Sequence, residues 1–332
     1  MPIKHPNLKL TRLTDAVPTW AGEIAVENLL EICRQVRDGG GRLVALWGSD
    51  ARELRGGFML HVTLINETGL VCLHVPLPEA HPHYPDLACI FPAAARMQRA
   101  TYDLLGMHAE EAADHRKWLR HGAWHSGSFP LRKDFDAAAS RTDEAEDYPF
   151  VQVEGQGVHE IAVGPVHAGI IEPGHFRFSV IGERVLRLEE RFGYTHKGIE
   201  KRFESLSLQQ GAKLVGRVSG DSTVAYAWAY AMAAESIAGV TPPDRALWLR
   251  ALLLERERVA NHLGDLGYLG SDVALAFGFA QFWILKEQML RTNAALFGHR
   301  YLMDSIMPGG VAVDVTAEAK RVIAEECELL ER

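Results

Sequence analysis

Apolar residues recur at helical spacing at Ile24, Ala25, Leu29, Cys33 and Val36, and Gly39-Gly40-Gly41 stops that pattern before an apolar run at 43–47. This order predicts helix, turn, strand. Alternation takes over at Phe58, Leu60, Val62 and Leu64, yields to the turn-forming Asn66-Glu67-Thr68-Gly69, and resumes at Val71, Leu73 and Val75. That is the signature of a β-hairpin. Four prolines between 76 and 85 break the regularity, after which residues 93–105 predict a helix closed by Gly106.

Residues 136–150 are small, polar and acidic, with few apolar anchors, and read as a linker. Beyond it, 161–163 and the alternating His175-Phe176-Arg177-Phe178-Ser179-Val180 predict strands, and Gly182-Glu183 turns into Val185-Leu186-Arg187-Leu188 as a second hairpin. From His196 onward the period becomes helical. Thr241-Pro242-Pro243-Asp244 reads as a capping box with proline at the first helical position, and Leu249, Leu252, Leu253, Val259, Ala260, Leu263 and Leu266 mark one face of a long helix. Phe282, Leu285, Met289, Thr292, Leu296 and His299 give a second. The expected fold class is α+β. An N-terminal α+β domain at 1–140 is joined by a linker at 141–150 to a second domain at 151–332, a small β-sheet followed by a mainly α-helical bundle.

Composition narrows the function. With 332 residues, 47% of them apolar, the chain is long enough for two cores, and no run approaches the roughly 18 apolar residues that span a bilayer. The opening Met-Pro-Ile-Lys-His-Pro lacks the apolar core of a secretory signal, so a cytoplasmic location is expected, docked on a membrane partner if on anything. A net charge of -8, with no basic domain, disfavours nucleic acid as a partner. Cys33, Cys72, Cys89 and Cys327 are far apart with no Cys-x-x-Cys, and read as isolated buried thiols. His81, His83, His108, His115, His121 and His125 invite a metal, but Pro82 and Gly122 separate the closest pairs and no carboxylate or thiolate completes a set.

Two short signatures carry more information. Arg99-Ala100-Thr101-Tyr102-Asp103-Leu104-Leu105-Gly106-Met107 followed by Pro130-Leu131-Arg132-Lys133-Asp134-Phe135 resembles the end of the 30 kDa subunit of respiratory complex I. The first motif departs from that family, keeping only the arginine of its acidic-Arg-acidic lead, and the second matches throughout. The charged run is read as an exposed tail that pairs with a neighbouring subunit.

Four further motifs follow in order: Gly164-Pro165-Val166-His167 running on to Glu172-Pro173-Gly174-His175-Phe176, then Gly193-Tyr194-Thr195-His196-Lys197-Gly198-Ile199-Glu200-Lys201, then Glu255-Arg256-Glu257-Arg258-Val259-Ala260-Asn261-His262-Leu263, then Pro308-Gly309-Gly310-Val311. In that order they resemble the large subunits of energy-converting (group 4) nickel-iron hydrogenases, the formate hydrogenlyase type with a fused 30 kDa-like domain. The 49 kDa quinone-site subunit of complex I is more distant. The likeness covers about residues 60 to 315.

That resemblance implies a nickel-iron centre held by two pairs of cysteines, because soft thiolates retain such metals and hydroxyls do not. At the first pair this chain has Ser219 and Ser222, and Tyr226 where a histidine follows. The second pair has no counterpart before Arg332, where the family continues for well over a hundred residues, so the second domain reads as C-terminally incomplete. Ser219, Ser222 and Tyr226 therefore mark a vacated metal site, or Ser219 or Ser222 serves as the N-cap of an alanine-rich helix.

By the complex I resemblance, His175 and His167 occupy a quinone or proton-relay loop, while Leu208 stands where that family places a quinone-bonding tyrosine. His196, Lys197 and Glu200 are read as one helix turn, relaying protons, holding a partner or forming a solvated face. Arg256 falls on the apolar stripe and is expected to pair with a carboxylate such as Glu235 or Asp265. The resemblance thus implies a peripheral-arm subunit of a membrane-associated electron-transfer complex, oxidoreductase in type but without hydrogenase activity of its own. No cofactor is expected in this chain itself. An iron-sulfur cluster would lie in a small partner subunit, membrane-embedded subunits would be further partners, a quinone would be the ligand, and any link to NADH would run through partners. The alternative is a non-catalytic scaffold or assembly module. An open, polar-lined cavity beside residues 164–175 favours redox work; a collapsed one favours the scaffold. Exposed apolar residues around Phe277, Phe279 and Trp283 are expected under both.

Overall fold

The structure is a computed structural model and describes residues 3, 5–14, 17–121, 124–138, 147–167 and 171–331. The chain divides between Lys201 and Arg202 into two compact units.

In the first unit, β1 (Thr11–Arg12), β2 (Thr19–Glu23), α1 (Leu29–Asp38), β3 (Arg42–Asp50), α2 (Arg52–Arg55), β4 (Gly57–Asn66) and β5 (Gly69–Pro78) lead into β6 (His83–Pro85), α3 (Ala94–Leu105) and β7 (His108–Glu110). The five-stranded sheet has the order β1-β2-β5-β4-β3 and is antiparallel except where β2 runs parallel to β5. Alternation decides its faces. Phe58, Leu60, Val62, Leu64, Val71, Leu73 and Val75 turn to one side and form the core with Leu29, Ile32 and Cys33 of α1 and Leu105 of α3. Leu60, Leu64 and Leu73 are fully buried, each contributing about 1.5–3 kcal/mol through loss of water contact. The predicted hairpin is β4–β5, paired from Gly57↔Pro78 to Asn66↔Gly69, and Gly106 closes α3 in the left-handed conformation. Of the four thiols, Cys33 is buried and Cys72 half-buried, whereas Cys89 and Cys327 are exposed.

The Pro130–Phe135 signature differs from its expectation. It folds back on its own unit: Arg132 donates to Leu105 O at 2.8 Å, Leu131 N–H to Leu104 O at 3.0 Å, and Asp134 pairs with Arg52 at 2.7 Å. Its charges have internal partners because Asp50 and Arg52 project from the adjacent β3–α2 corner.

A second sheet, order β10-β9-β8, is built from β8 (His159–Val163), β9 (His175–Ile181) and β10 (Arg184–Arg191), all antiparallel, and groups with the first unit. Of the expected linker, residues 141–146 lie outside the described residues, as do 168–170 of the loop before β9. The short α4 (Ile199–Phe203) begins after Gly198, whose φ of +63° breaks the chain out of helical geometry. His196 therefore precedes the helix that carries Glu200, and the two do not share a turn.

The second unit holds α5 (Leu208–Val215), α6 (Thr223–Ala238), α7 (Asp244–Asp272), α8 (Ala276–Phe297), the two-stranded β11 (Ile306–Met307) and β12 (Gly310–Val311), and α9 (Ala317–Leu330). The capping box appears at α5, where Ser207 accepts from Gln210 N–H and Gln210 accepts from Ser207 N–H. The one expected at Thr241 does not form, because Pro243 itself takes the N-cap position of α7 and has no side-chain acceptor. Ala246, Leu249, Leu253, Ala260 and Leu263 give α7 its buried face, as the period predicts, but Leu266 is exposed. There Gly264, Gly267 and Gly270 take over and let α8 approach; a Cβ on Gly270 would sit 2.8 Å from the Phe279 amide nitrogen. Likewise His299 lies beyond α8, which ends at Phe297. At the α7–α8 corner Val273, Leu275 and Phe277 are exposed, and among the described residues no helix is long and apolar enough to cross a membrane.

Candidate functional site

The first candidate loop joins β8 to β9. Gly164 has φ +77°, and a Cβ there would collide with the Gly174 carbonyl, so the two ends of the loop close only on glycine. This closure sets His175 at the start of β9 with Nδ1 3.0 Å from Gly164 O. The imidazole donates from Nδ1, and Nε2 is a buried atom with no hydrogen-bond partner among the described residues. When unprotonated, the ring can accept a proton or a ligand hydroxyl at Nε2. Its ring lies against Phe150 at 5.2 Å. His167 occupies the same loop and is half-buried.

His175 lines a cavity of about 840 Å³, whose other walls come from 113–121, 147–151, β9, β10 and Tyr194. This is within the range of small-molecule sites. Its chemistry is polar and aromatic. Arg177 crosses Phe150 at 4.3 Å, Arg191 crosses Tyr148 at 4.4 Å, and His121 packs on Tyr194 at 4.6 Å. Burial, followed by the charge of Arg191, lowers the pKa of His121. His196 and Glu200 do not line the cavity; His196 Nδ1 accepts from Gly198 N–H at 3.2 Å.

The second candidate site is the turn before α6, in the other unit. Ser222 occupies the N-cap position of α6, but neither its hydroxyl nor that of Ser219 caps the helix. Ser219 Oγ bonds Asp221, and Asn261 Nδ2 holds the Asp221 carbonyl at 2.6 Å. The free amides of the first turn go instead to Glu257 on α7: Val224 N–H at 2.6 Å and Ala225 N–H at 3.1 Å. A buried carboxylate therefore caps the positive end of α6. Burial pushes the pKa of Glu257 up against these two bonds, and Asp221 adds to the rise. Tyr226 is exposed, its phenol one turn into the helix.

Arg256 is buried, as its place on the stripe requires, but its partners are Glu326 at 2.7 Å and Asn293 at 2.6 Å. Neither Glu235 nor Asp265 is its counter-ion. Glu235 is taken by Arg250, a fully buried guanidinium that the apolar periodicity missed. The pair meets at 2.6 and 3.1 Å. Arg250 also donates to Met307 O and Gly310 O at 2.9 Å each, and Gly309 N–H donates to Glu235 at 2.7 Å. The Pro308-Gly309-Gly310-Val311 motif is thus the segment that this ion pair fastens to α6 and α7.

Residues 23–141 match the model of the respiratory-chain NADH dehydrogenase 30 Kd subunit. Over 284 residues it is 32% identical to formate hydrogenlyase subunit 5 of Escherichia coli, covering 83% of this chain and 50% of that protein. Hydrogenase-4 component G of the same organism is 32% identical over 84% of this chain and 52% of its own length. An NADH-quinone oxidoreductase component from Rhodopseudomonas palustris is 28% identical over 85% of this chain and 53% of its own. The chain spans about half the length of the curated relatives it matches. Its homologues are thus subunits of hydrogenase-type and NADH-quinone oxidoreductase-type assemblies, and the fold expected for the fused 30 kDa-like chain is the one observed.

Within that homology, the donors at the α6 turn do not fit a nickel-iron centre. They are two hydroxyls, one bonded to Asp221, a carboxylate committed to two amides, and a phenol, all hard oxygen donors where the metal needs thiolates. Among the described residues no three His, Cys, Asp or Glu side chains are placed to hold a metal ion.

Proposed function

We propose that this chain is a large subunit of a membrane-associated electron-transfer complex of the hydrogenase and complex I type, working without nickel. It sits in the peripheral arm on the cytoplasmic face of the membrane, against a small iron-sulfur subunit and membrane-embedded subunits. What supports this reading is the α6 turn: in a chain similar to formate hydrogenlyase subunit 5, Ser219 and Ser222 stand where the resemblance leads us to expect thiolates, and Glu257 caps the helix behind them. The exposed Val273, Leu275 and Phe277 fit a chain that works among partners.

The redox reading is favoured over a bare scaffold by the open, polar-lined cavity at His175. In it, His175 Nε2 accepts the hydroxyl hydrogen of the reduced, quinol form of the headgroup while Gly164 O holds the ring. His167 supports the same loop, and a quinone headgroup is the ligand assigned to it. His196 and Glu200 are supporting residues of the first unit, and Arg256 is one of the second, where it pairs with Glu326. The test is binding of a quinone analogue to the native complex. His175→Ala is expected to weaken it at least about tenfold, the loss of one hydrogen bond to a desolvated partner; unchanged affinity would remove His175 from the site.

A further inference from the structure

The cavity at His175 has a feature that a neutral quinone does not explain. Among the described residues, five cationic side chains line it against two carboxylates, Asp114 and Asp147. The central one, Arg191, is buried, and among the described residues its guanidinium donates to main-chain carbonyls alone, Lys117 O, Trp118 O and Arg120 O. Among the described residues it makes no ion pair. Asp103, whose charge also reaches it, is occupied by the same segment, accepting from the amides of Trp118, Leu119 and Arg120 at 2.7, 2.7 and 3.1 Å and facing Arg120 at 3.6 Å. A buried guanidinium without a carboxylate is costly unless a counter-charge arrives. Beside it, Arg177 pairs with Glu160 through Nη1 at 2.8 Å while its buried Nε has no partner among the described residues, and Arg187 shares Glu189 with Arg116.

We propose that this cavity binds a small organic oxyanion, a metabolite bearing a phosphate or carboxylate group, whose charge is met by Arg191, Arg177 and Arg187. Planar guanidinium forks match either group in a two-point geometry. The aromatic walls, Tyr148, Phe150 and Tyr194, pack the body of the ligand, and the volume admits a molecule larger than a bare ion. The site goes beyond the quinone reading and does not depend on it.

Isothermal titration of the full chain with inorganic pyrophosphate and with citrate, at ionic strength held constant with sodium chloride, tests the proposal. One saturable site per chain is expected. Tighter pyrophosphate assigns a phosphate ligand and tighter citrate a carboxylate one. Arg191 is buried, so its replacement risks the fold; Arg177→Gln and Arg187→Gln, whose side chains are 28% and 41% exposed, carry the test and should each weaken binding about tenfold. Arg245→Gln, in the other unit and paired with Asp314, should leave it unchanged. No saturable heat with either anion up to about 10 mM, or affinity retained in both cavity variants, overturns the proposal.

Discussion

Replacing Arg250 with methionine isolates the ion pair that fastens the Pro308-Gly309-Gly310-Val311 segment. The change leaves the Glu235 carboxylate buried with Gly309 N–H as its remaining donor and strips the carbonyls of Met307 and Gly310 of theirs. Breaking one side of a buried pair costs about 3–5 kcal/mol, chiefly because the remaining charge is left unpaired. For a unit of this size about 4 °C of melting temperature corresponds to each kcal/mol, so the second unit should melt roughly 12–20 °C lower. Glu235→Met should cost a similar amount. With both replaced no orphan charge remains, and the double variant should recover about 2–3 kcal/mol relative to the sum of the singles. Calorimetric scans of the wild type, both singles and the double measure this cycle. Additive losses, with a coupling below about 0.5 kcal/mol, would refute the reasoning and make the pair incidental to the packing of β11 and β12.

Gly270→Ala should destabilise the α7–α8 corner by about 1–3 kcal/mol, since the neighbour it meets is the Phe279 backbone and not a flexible side chain; a urea midpoint unchanged from wild type would show that the helices part freely. The pH dependence of the first unit follows from His61, which bonds His74 Nδ1 at 2.8 Å and Ser49 Oγ at 2.9 Å. Burial, then the charge of His74, lowers its pKa from 6.5 to about 4. The unfolded chain therefore binds more protons between those values, so stability is fully present above about 6.5 and lost as pH falls through about 4. His61→Gln should flatten that part of the acid limb in melting curves, and an unchanged slope would assign it to other groups.

Much of the first unit was legible because its signals are local. Alternation at 58–64 and 71–75 fixes both the hairpin and the face that meets α1, and Gly106 can end a helix where other residues strain. The parallel pairing of β2 with β5 and of β6 with β7 was not legible, since no short-range pattern specifies it. The β6–β7 pairing sets His83 opposite His108, and His115 stacks on His108 at 5.2 Å, a grouping that linear spacing hides. In the second unit the helices were legible and their charges were not. Periodicity counts apolar residues, so Arg250 and Glu257, which share the buried face, left no mark on it. Glu257 reaches α6 from 33 residues away along the chain, so the serines nearest the helix start looked like its caps. The His196–Glu200 turn failed on one residue, Gly198, whose positive φ ends helical geometry.

A hydrogenase-type subunit whose α6 turn offers oxygen donors in place of thiolates should bind no nickel there. Metal analysis of the native complex, purified through a tag on this chain and assayed alongside for hydrogen-dependent dye reduction, tests it most directly. Iron from the partner subunit, nickel at background and no dye reduction are expected, with no change when nickel is supplied during growth. Stoichiometric nickel together with hydrogen-dependent dye reduction would contradict it.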